Sequence, residues 1–413
     1  MPVWQESWIK HLASIRIGTL HYRKRYYTYR RTIVDRVPGC TYPGTQDVFS
    51  ILNTAVKGIN AIAKKPLVNY FNLNNLFHDL GLNRVDLLHL FNGVNLSKHH
   101  RWVTSFETIV PRLTSTLEPR DDRGIRNPAF TGMNSLAFKA LAAEKCKALL
   151  PLSLNARDAQ VSLLQNAPAA LADTIAAKMR VLHPPQQALI QSYDDKPKQD
   201  GEKIRFLFVG SSFFRKGGRE ILLAFQQLVR EEHLPLELSI ISSISSDDYT
   251  GKITDADIQW ARTFIAGNPG WVTLYPAMSN EFVLQQMLRA DVGLLPTLSD
   301  SYGFSILEFQ AAGCPVITTN VRAIPEINNA DTGWVIEVPK DSLGEARYRT
   351  AAEKAVLSDV IIQGLLRSVR EICSQRGLVA HKGRAALGRV IREHDPAWYG
   401  EQLSQIYLQA LRL

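Results

Sequence analysis

The chain has 413 residues, 45% apolar and 21% charged, with a formal net charge of +9. That length exceeds one hydrophobic core and suits two domains of roughly 200 residues each, and the composition excludes a disordered tail, a collagen-like repeat and a coiled coil. No apolar run approaches the ~18 residues of a membrane helix. Residues 1–20 carry Trp4, Glu6, Lys10, His11 and Arg16 where a signal peptide needs an apolar core, so a cytoplasmic protein is expected. The cysteines, Cys40, Cys146, Cys314 and Cys373, lie too far apart in sequence for a zinc ribbon or a redox pair, and reduced thiols are expected. Adjacent His99 and His100 point their rings apart on a helix or a strand alike, so no structural metal is expected.

The start of the chain is basic. Residues 1–40 hold Lys10, Arg16, Arg23, Lys24, Arg25, Arg30, Arg31 and Arg36 against Glu6 and Asp35, which is about two thirds of the net charge. Tyr22, Tyr26, Tyr27 and Tyr29 are interleaved with those cations. A solvated basic surface, an anionic membrane contact and a nucleic-acid contact all fit this pattern, which composition alone does not separate. Further on, apolar runs at 16–20, 67–73, 85–91, 101–106, 147–151 and 180–183 read as strands of a first α/β domain over residues 1–193. The polar stretch 193–203, with Pro197 and Gly201, reads as a boundary.

The second half, 204–395, is more regular. Strands are expected at 204–209, 236–241, 272–275, 292–296, 315–319 and 333–338. They alternate with helices such as 218–229, where Ile221, Leu222, Phe225 and Leu228 recur at helical spacing, and 280–290. This is the pattern of βαβ units and a doubly wound parallel sheet buried on both faces. The tail, 396–413, reads as a helix with Trp398, Leu403, Ile406, Tyr407 and Ala410 on one side.

Two segments carry chemistry. In FLFVGSSFFRKGG (206–218) a buried strand ends at Gly210 and a helix begins near Gly218. Ligands bind outside the carboxyl ends of such strands, and a helix N-terminus there offers N–H groups to an anion. Arg215 and Lys216 add two cations at the same place, suited to a diphosphate. An ordinary turn with a surface Arg-Lys pair is the competing reading. In 291–325, a strand leads into a loop with Asp300, then Gly303-Phe304-Ser305, then a helix with Glu308. Gly303 lets a ligand approach the backbone, and the two carboxylates are acceptors suited to sugar and ribose hydroxyls. Asp300 as a simple helix cap is the alternative.

The second segment resembles the donor site of glycosyltransferase family 4. The likeness lies in Asp300, Gly303-Phe304, Leu307-Glu308, Ala311-Ala312-Gly313, Pro315-Val316 and Ile324-Pro325-Glu326-Ile327. The resemblance implies a GT-B architecture of two facing Rossmann-like domains, with the 396–413 helix packing back on the first. It implies retaining transfer of a sugar from a nucleotide-sugar donor, without a metal or other cofactor, to a glycan or lipid-linked acceptor. Glu308 would contact the ribose, Lys216 with Arg215 or Ser211 the diphosphate, and Asp300, where the family usually has Glu, the donor sugar. The first domain departs from the family: no Gly-Gly pair follows the first strand, and Phe106-Glu107 stands where His-Asp is usual. Family members of this kind work at the inner face of a membrane, which suits the basic segment; a nucleic-acid partner is not expected. A nucleotide-sugar epimerase or hydrolase and a non-catalytic sugar-binding or nucleic-acid-binding relative are the alternatives.

Overall fold

A computed structural model describes residues 15–20, 27–64, 71–117, 128–197, 201–245 and 253–412. The chain divides into two compact units, Met1–Pro185 with Pro396–Leu413, and Gln186–Asp395. The division falls ahead of the polar stretch 193–203 that reads as the boundary. Lys196 explains why: its buried ammonium donates to the carbonyls of Met287, Leu288 and Ala312 at 3.3, 2.9 and 3.1 Å, capping two helix ends of the second unit.

The first unit is built on a parallel sheet of β1 (Ile17–Leu20), β2 (Gly44–Thr45), β4 (Leu87–Phe91), β6 (Arg101–Phe106) and β7 (Cys146–Pro151). Its order is β2-β1-β4-β6-β7, and β3 (Leu76–Phe77) pairs separately with β5 (Val94–Asn95). Leu88, Leu90, Trp102, Phe106, Phe138 and Leu149 fill the core. The tail helix Pro396–Leu411 belongs to this unit. Its Tyr407 hydroxyl lies 2.7 Å from His89 Nδ1, His89 Nε2 lies 2.8 Å from Ser105 Oγ, and Tyr399 donates to the Thr32 carbonyl at 2.7 Å. Leu403, Ile406, Tyr407 and Ala410 are buried as expected, but Trp398 is half exposed, because at about 100° per residue it falls on the helix face opposite Leu403 and Tyr407.

Two expected strands are not seen among the described residues. Of 67–73, residues 67–70 lie outside the described residues, and Asn72–Asn75 is a 3-10 turn. Residues 180–183 run beside β7, with Arg180 and Leu182 donating to Leu149 and Pro151, but only Met179 forms a bridge because Pro184 and Pro185 have no N–H to extend it. Of the basic segment, Lys10, Tyr22, Arg23, Lys24, Arg25 and Tyr26 lie outside the described residues. Tyr29 is a correction: it is buried, and its hydroxyl accepts the Phe91 N–H at 3.1 Å.

The second unit is a six-stranded parallel sheet of β8 (Ile204–Val209), β9 (Leu236–Ile241), β10 (Val272–Tyr275), β11 (Val292–Leu295), β12 (Val316–Thr319) and β13 (Gly333–Ile336). The near-continuous apolar strands follow from burial on both faces, with Phe206, Phe208, Phe213 and Phe225 packed edge to face on one side. The order β10-β9-β8-β11-β12-β13 is 3-2-1-4-5-6 in strand sequence. Chain direction across the sheet therefore reverses between β8 and β11. A crevice opens at the carboxyl ends of strands at such a switch point. No helix among the described residues is long and apolar enough to cross a membrane.

Candidate functional site

Both chemistry-bearing segments leave the sheet at that switch point, one after β8 and one after β11. After β8, Gly210 donates to the Ile241 carbonyl and residues 212–217 make one tight turn, Lys216 N–H to Ser212 O and Gly217 N–H to Phe214 O. The helix Gly218–Arg230 then starts behind Gly217, whose φ of +85° is a left-handed conformation. A Cβ there would sit 2.2 Å from the Pro296 carbonyl oxygen, so glycine is what lets the two loops touch. Gly210 lies against the stem of Lys216, and the Ser211 carbonyl accepts from Ser243 Oγ at 3.3 Å.

The second loop is fastened to the first by hydrogen bonds. Leu298 N–H and Thr297 Oγ1 both donate to the Arg215 carbonyl, at 2.9 and 3.1 Å, and Thr319 Oγ1 donates to the Thr297 carbonyl at 2.6 Å. This chain of hydroxyls ties the ends of β12, β11 and β8 together. The Arg215 guanidinium is placed by Ser299 O and Ser212 Oγ, both at 2.9 Å. Lys216 Nζ stands 3.5 Å from Asp300 Oδ2, with both side chains mostly buried.

Asp300 Oδ1 accepts the N–H groups of Gly303 at 3.1 Å and Tyr302 at 3.4 Å. Burial alone raises the Asp300 pKa, but Lys216, Arg215 and those two N–H groups outweigh it and hold the carboxyl below the ordinary carboxylate range. The cap position of the helix Phe304–Ala311 falls to Gly303, at φ +87°, and Asp300 instead braces the turn that precedes it. Phe304, Ser305 and Glu308 follow on that helix. Glu308 is half-buried, four residues after Phe304, and side chains on a helix lean towards its N-terminus, the end that faces the loop.

The sequence-derived site residues thus collect at the carboxyl ends of two neighbouring strands. The structure brings Lys216 and Asp300 together as an ion pair and Arg215 onto the backbone beside Asp300. For Glu308 and Ser305 it fixes the helix and the turn. Thr297, Ser299, Ser212 and Thr319 were not foreseen, because hydroxyl residues at strand ends carry no periodic signal. The Oγ atoms of Ser299 and Ser305 are buried with no hydrogen-bond partner among the described residues. An unmet buried hydroxyl costs about 1–3 kcal/mol, which a polar ligand in the crevice would offset. Among the described residues no three His, Cys, Asp or Glu side chains converge as a metal site. Glu107, on the first unit, is half-buried and its N–H donates to Asn92 Oδ1.

Residues 203–350 match the family model described as Glycosyl transferases group 1. O-antigen chain mannosyltransferase B of Escherichia coli is 27% identical over 177 residues, 43% of this chain and 41% of that protein. The chain spans about two fifths of the length of the curated relatives it matches. A solved glycosyltransferase from Rickettsia africae aligns at a TM-score of 0.59 with 16% identity, over 96% of this chain and 99% of that one. The Anabaena protein HepE, solved in complex with UDP, aligns at a TM-score of 0.53 with 10% identity, over 95% and 98%. The fold is accordingly α/β of the GT-B class, as the sequence leads one to expect.

Proposed function

We propose, from the premise that residues 203–350 belong to the group 1 glycosyltransferases, that this protein moves a sugar from a nucleoside-diphosphate sugar to an acceptor hydroxyl in polysaccharide or glycolipid synthesis. The observation that carries the proposal is Arg215 and Lys216 at the switch point, Lys216 paired with Asp300 across two loops joined by hydrogen bonds. Departure of a nucleoside diphosphate concentrates negative charge on the bridging phosphate oxygen. Two fixed cations and the N-termini of two helices lie where that charge develops, and such preorganised donors are a large catalytic term. They supply the stabilisation that a divalent ion gives elsewhere, which makes the reaction metal-independent in this reading and leaves no cofactor to be bound.

Asp300 and Glu308 complete the donor site. Asp300 keeps Lys216 oriented and offers the donor sugar an acceptor, and Glu308 accepts from the ribose hydroxyls. Retention at the anomeric carbon follows the family resemblance and assigns no protein nucleophile. The acceptor is a glycan or a lipid-linked glycan, and the basic segment 10–36 docks the protein on an anionic membrane at its inner face. That HepE was solved with UDP supports UDP as the first nucleotide to try.

A second reading, a relative that binds the donor without turnover, is favoured by one feature: the exit of β1, IGTLHYRKR, holds no Gly-Gly pair. Release of nucleoside diphosphate from a panel of nucleotide sugars, with and without a glycan acceptor, separates the two. Turnover of at least one donor is expected. Tight donor binding with no release under any acceptor would leave the binding reading in its place.

A further inference from the structure

The helix Gly218–Arg230 carries a buried acid in its first turn that the donor site as described does not use. Glu220 is 5% exposed, at the third position of that helix. A glutamate there commonly reaches back to the cap N–H, but the Gly217 N–H is given to the Phe214 carbonyl. Glu220 Oε1 lies instead 2.8 Å from Ser358 Oγ, on the helix Ala351–Ser374, and Oε2 is buried with no hydrogen-bond partner. The two segments run in one direction at a constant offset, since Glu232 meets Arg370, again 138 residues further on. That second acid faces solvent and has a cation; the buried one has a neutral hydroxyl. Arg219, the charged side chain that acts on Glu220, is turned away to Asp257 at 3.0 Å and over the Trp260 ring. Of the charged residues flanking Ser358, Lys354 forms no ion pair with Glu220 among the described residues and Asp359 is exposed.

We propose that Glu220 is a positioning residue for the diphosphate and works as a neutral carboxylic acid. Hydrogen-bonded to Ser358, it ties the amino end of its helix to the neighbouring one without placing charge there. The role rests on the diphosphate site proposed above; the protonation does not. An ionised Glu220 would have one oxygen without a donor and a charge without a counter-ion, which burial penalises more heavily than a neutral acid. Burial raises the Glu220 pKa, and Ser358, its own N–H and Arg219 do not offset it. A negative charge in the first turn would also occupy the positive helix end that a diphosphate needs. Neutral, Glu220 leaves that potential to the ligand. Bonded, it fixes where the N–H groups point.

The test reads the full chain by infrared spectroscopy, urea melts and UDP titration. Wild type without ligand should show, at neutral pH, the C=O band of a protonated buried carboxyl, and Glu220→Gln should lack it. Above the ordinary value of 4.5 the unfolded chain releases a proton that folded Glu220 keeps, so stability falls as pH rises towards the folded value. Glu220→Gln escapes that loss, and its folding constant relative to wild type should grow about tenfold per pH unit across that window. Glu220→Ala should bind UDP roughly fivefold more weakly than wild type, and Glu220→Gln should restore the affinity. A missing band, or stability curves of wild type and Glu220→Gln that run parallel, would overturn the inference. So would wild-type affinity in Glu220→Ala, or lost affinity in Glu220→Gln. Wild type that shows the band but binds no UDP would overturn the diphosphate site and, with it, the role assigned to Glu220.

Discussion

Replacing Lys216 by Met removes one charge and keeps the apolar stem that packs on Gly210. Two effects follow, and they separate. The nucleoside diphosphate loses a charge-assisted hydrogen bond of roughly 1.5–3 kcal/mol, so its Kd should rise roughly 10- to 150-fold. Asp300 loses a partner 3.5 Å away but keeps the N–H groups of Tyr302 and Gly303. The fold should therefore lose roughly 1–3 kcal/mol, less than a fully stripped buried charge would cost, a fall of roughly 2–12 °C in Tm. In wild type the depressed Asp300 pKa contributes stability that is present above the unfolded value near ~3.9 and lost as pH falls through the folded one. In Lys216→Met the folded value moves up towards the unfolded one, so that acid-side loss should be smaller and complete at higher pH. Adding Asp300→Asn restores stability, because an amide oxygen still accepts the two N–H groups without a buried charge, yet it should not restore binding. Titration calorimetry with UDP and GDP, beside thermal melts, reads both quantities. An unchanged Kd in Lys216→Met, or recovered affinity in the double variant, would refute the diphosphate role.

Gly217→Ala should cost more than about 2 kcal/mol and abolish UDP binding, since a Cβ at φ +85° meets the Pro296 oxygen at 2.2 Å; Gly58→Ala, with open space around it, should instead add about 0.5–1 kcal/mol in urea melts. Glu308→Ala should weaken donor binding by roughly 1.5–3 kcal/mol in calorimetry without unfolding the helix, provided its carboxylate meets the ribose. Activity should survive excess chelator; complete loss, restored by magnesium or manganese, would show that the cations do not suffice. Burial pulls the His89 pKa down to about 3, so the unfolded chain takes up a proton below its ordinary 6.5 that the folded one refuses. Stability should thus fall by about 1.4 kcal/mol per pH unit between pH 6.5 and 3, measured by urea melts, and His89→Gln should flatten that slope.

The second unit was legible almost to the residue because its strands are buried on both faces and flanked by amphipathic helices. β8, β9 and β10 span the expected residues. Each of the next two strands is shorter by one proline, Pro296 and Pro315, which donate nothing to a ladder. The first unit was less legible for physical reasons. β2 is two residues long, and the helix Val48–Ile62 turns its apolar stripe outward, so neither periodicity nor composition places it in a core. Residues 72–75 carry three asparagines whose side chains bond to nearby backbone and side chains, with Asn72 accepting from Thr114 and Asn75 donating to Phe71 O. Only the Asn75 bond is local, of the kind that competes with strand pairing; the bonds of Asn72 and Asn74 hold the turn to distant segments.

Residue types marked the two loops of the site, but nothing in their spacing joins Lys216 to Asp300. What joins them is strand order: β11 enters the sheet beside β8, although β9 and β10 intervene in sequence. Once the two strands are neighbours, three further contacts hold the loops at a fixed separation: Gly217 against Pro296, Leu298 on the Arg215 carbonyl, and the Thr319–Thr297–Arg215 relay. None of them touches a charge, yet each sets where the two cations sit relative to Asp300. A substitution at Thr297 or Thr319 would therefore move the cations without removing them, and catalysis is steeply sensitive to such displacement. Charge in this crevice is supplied by few residues, and its position by the strand ends beneath them.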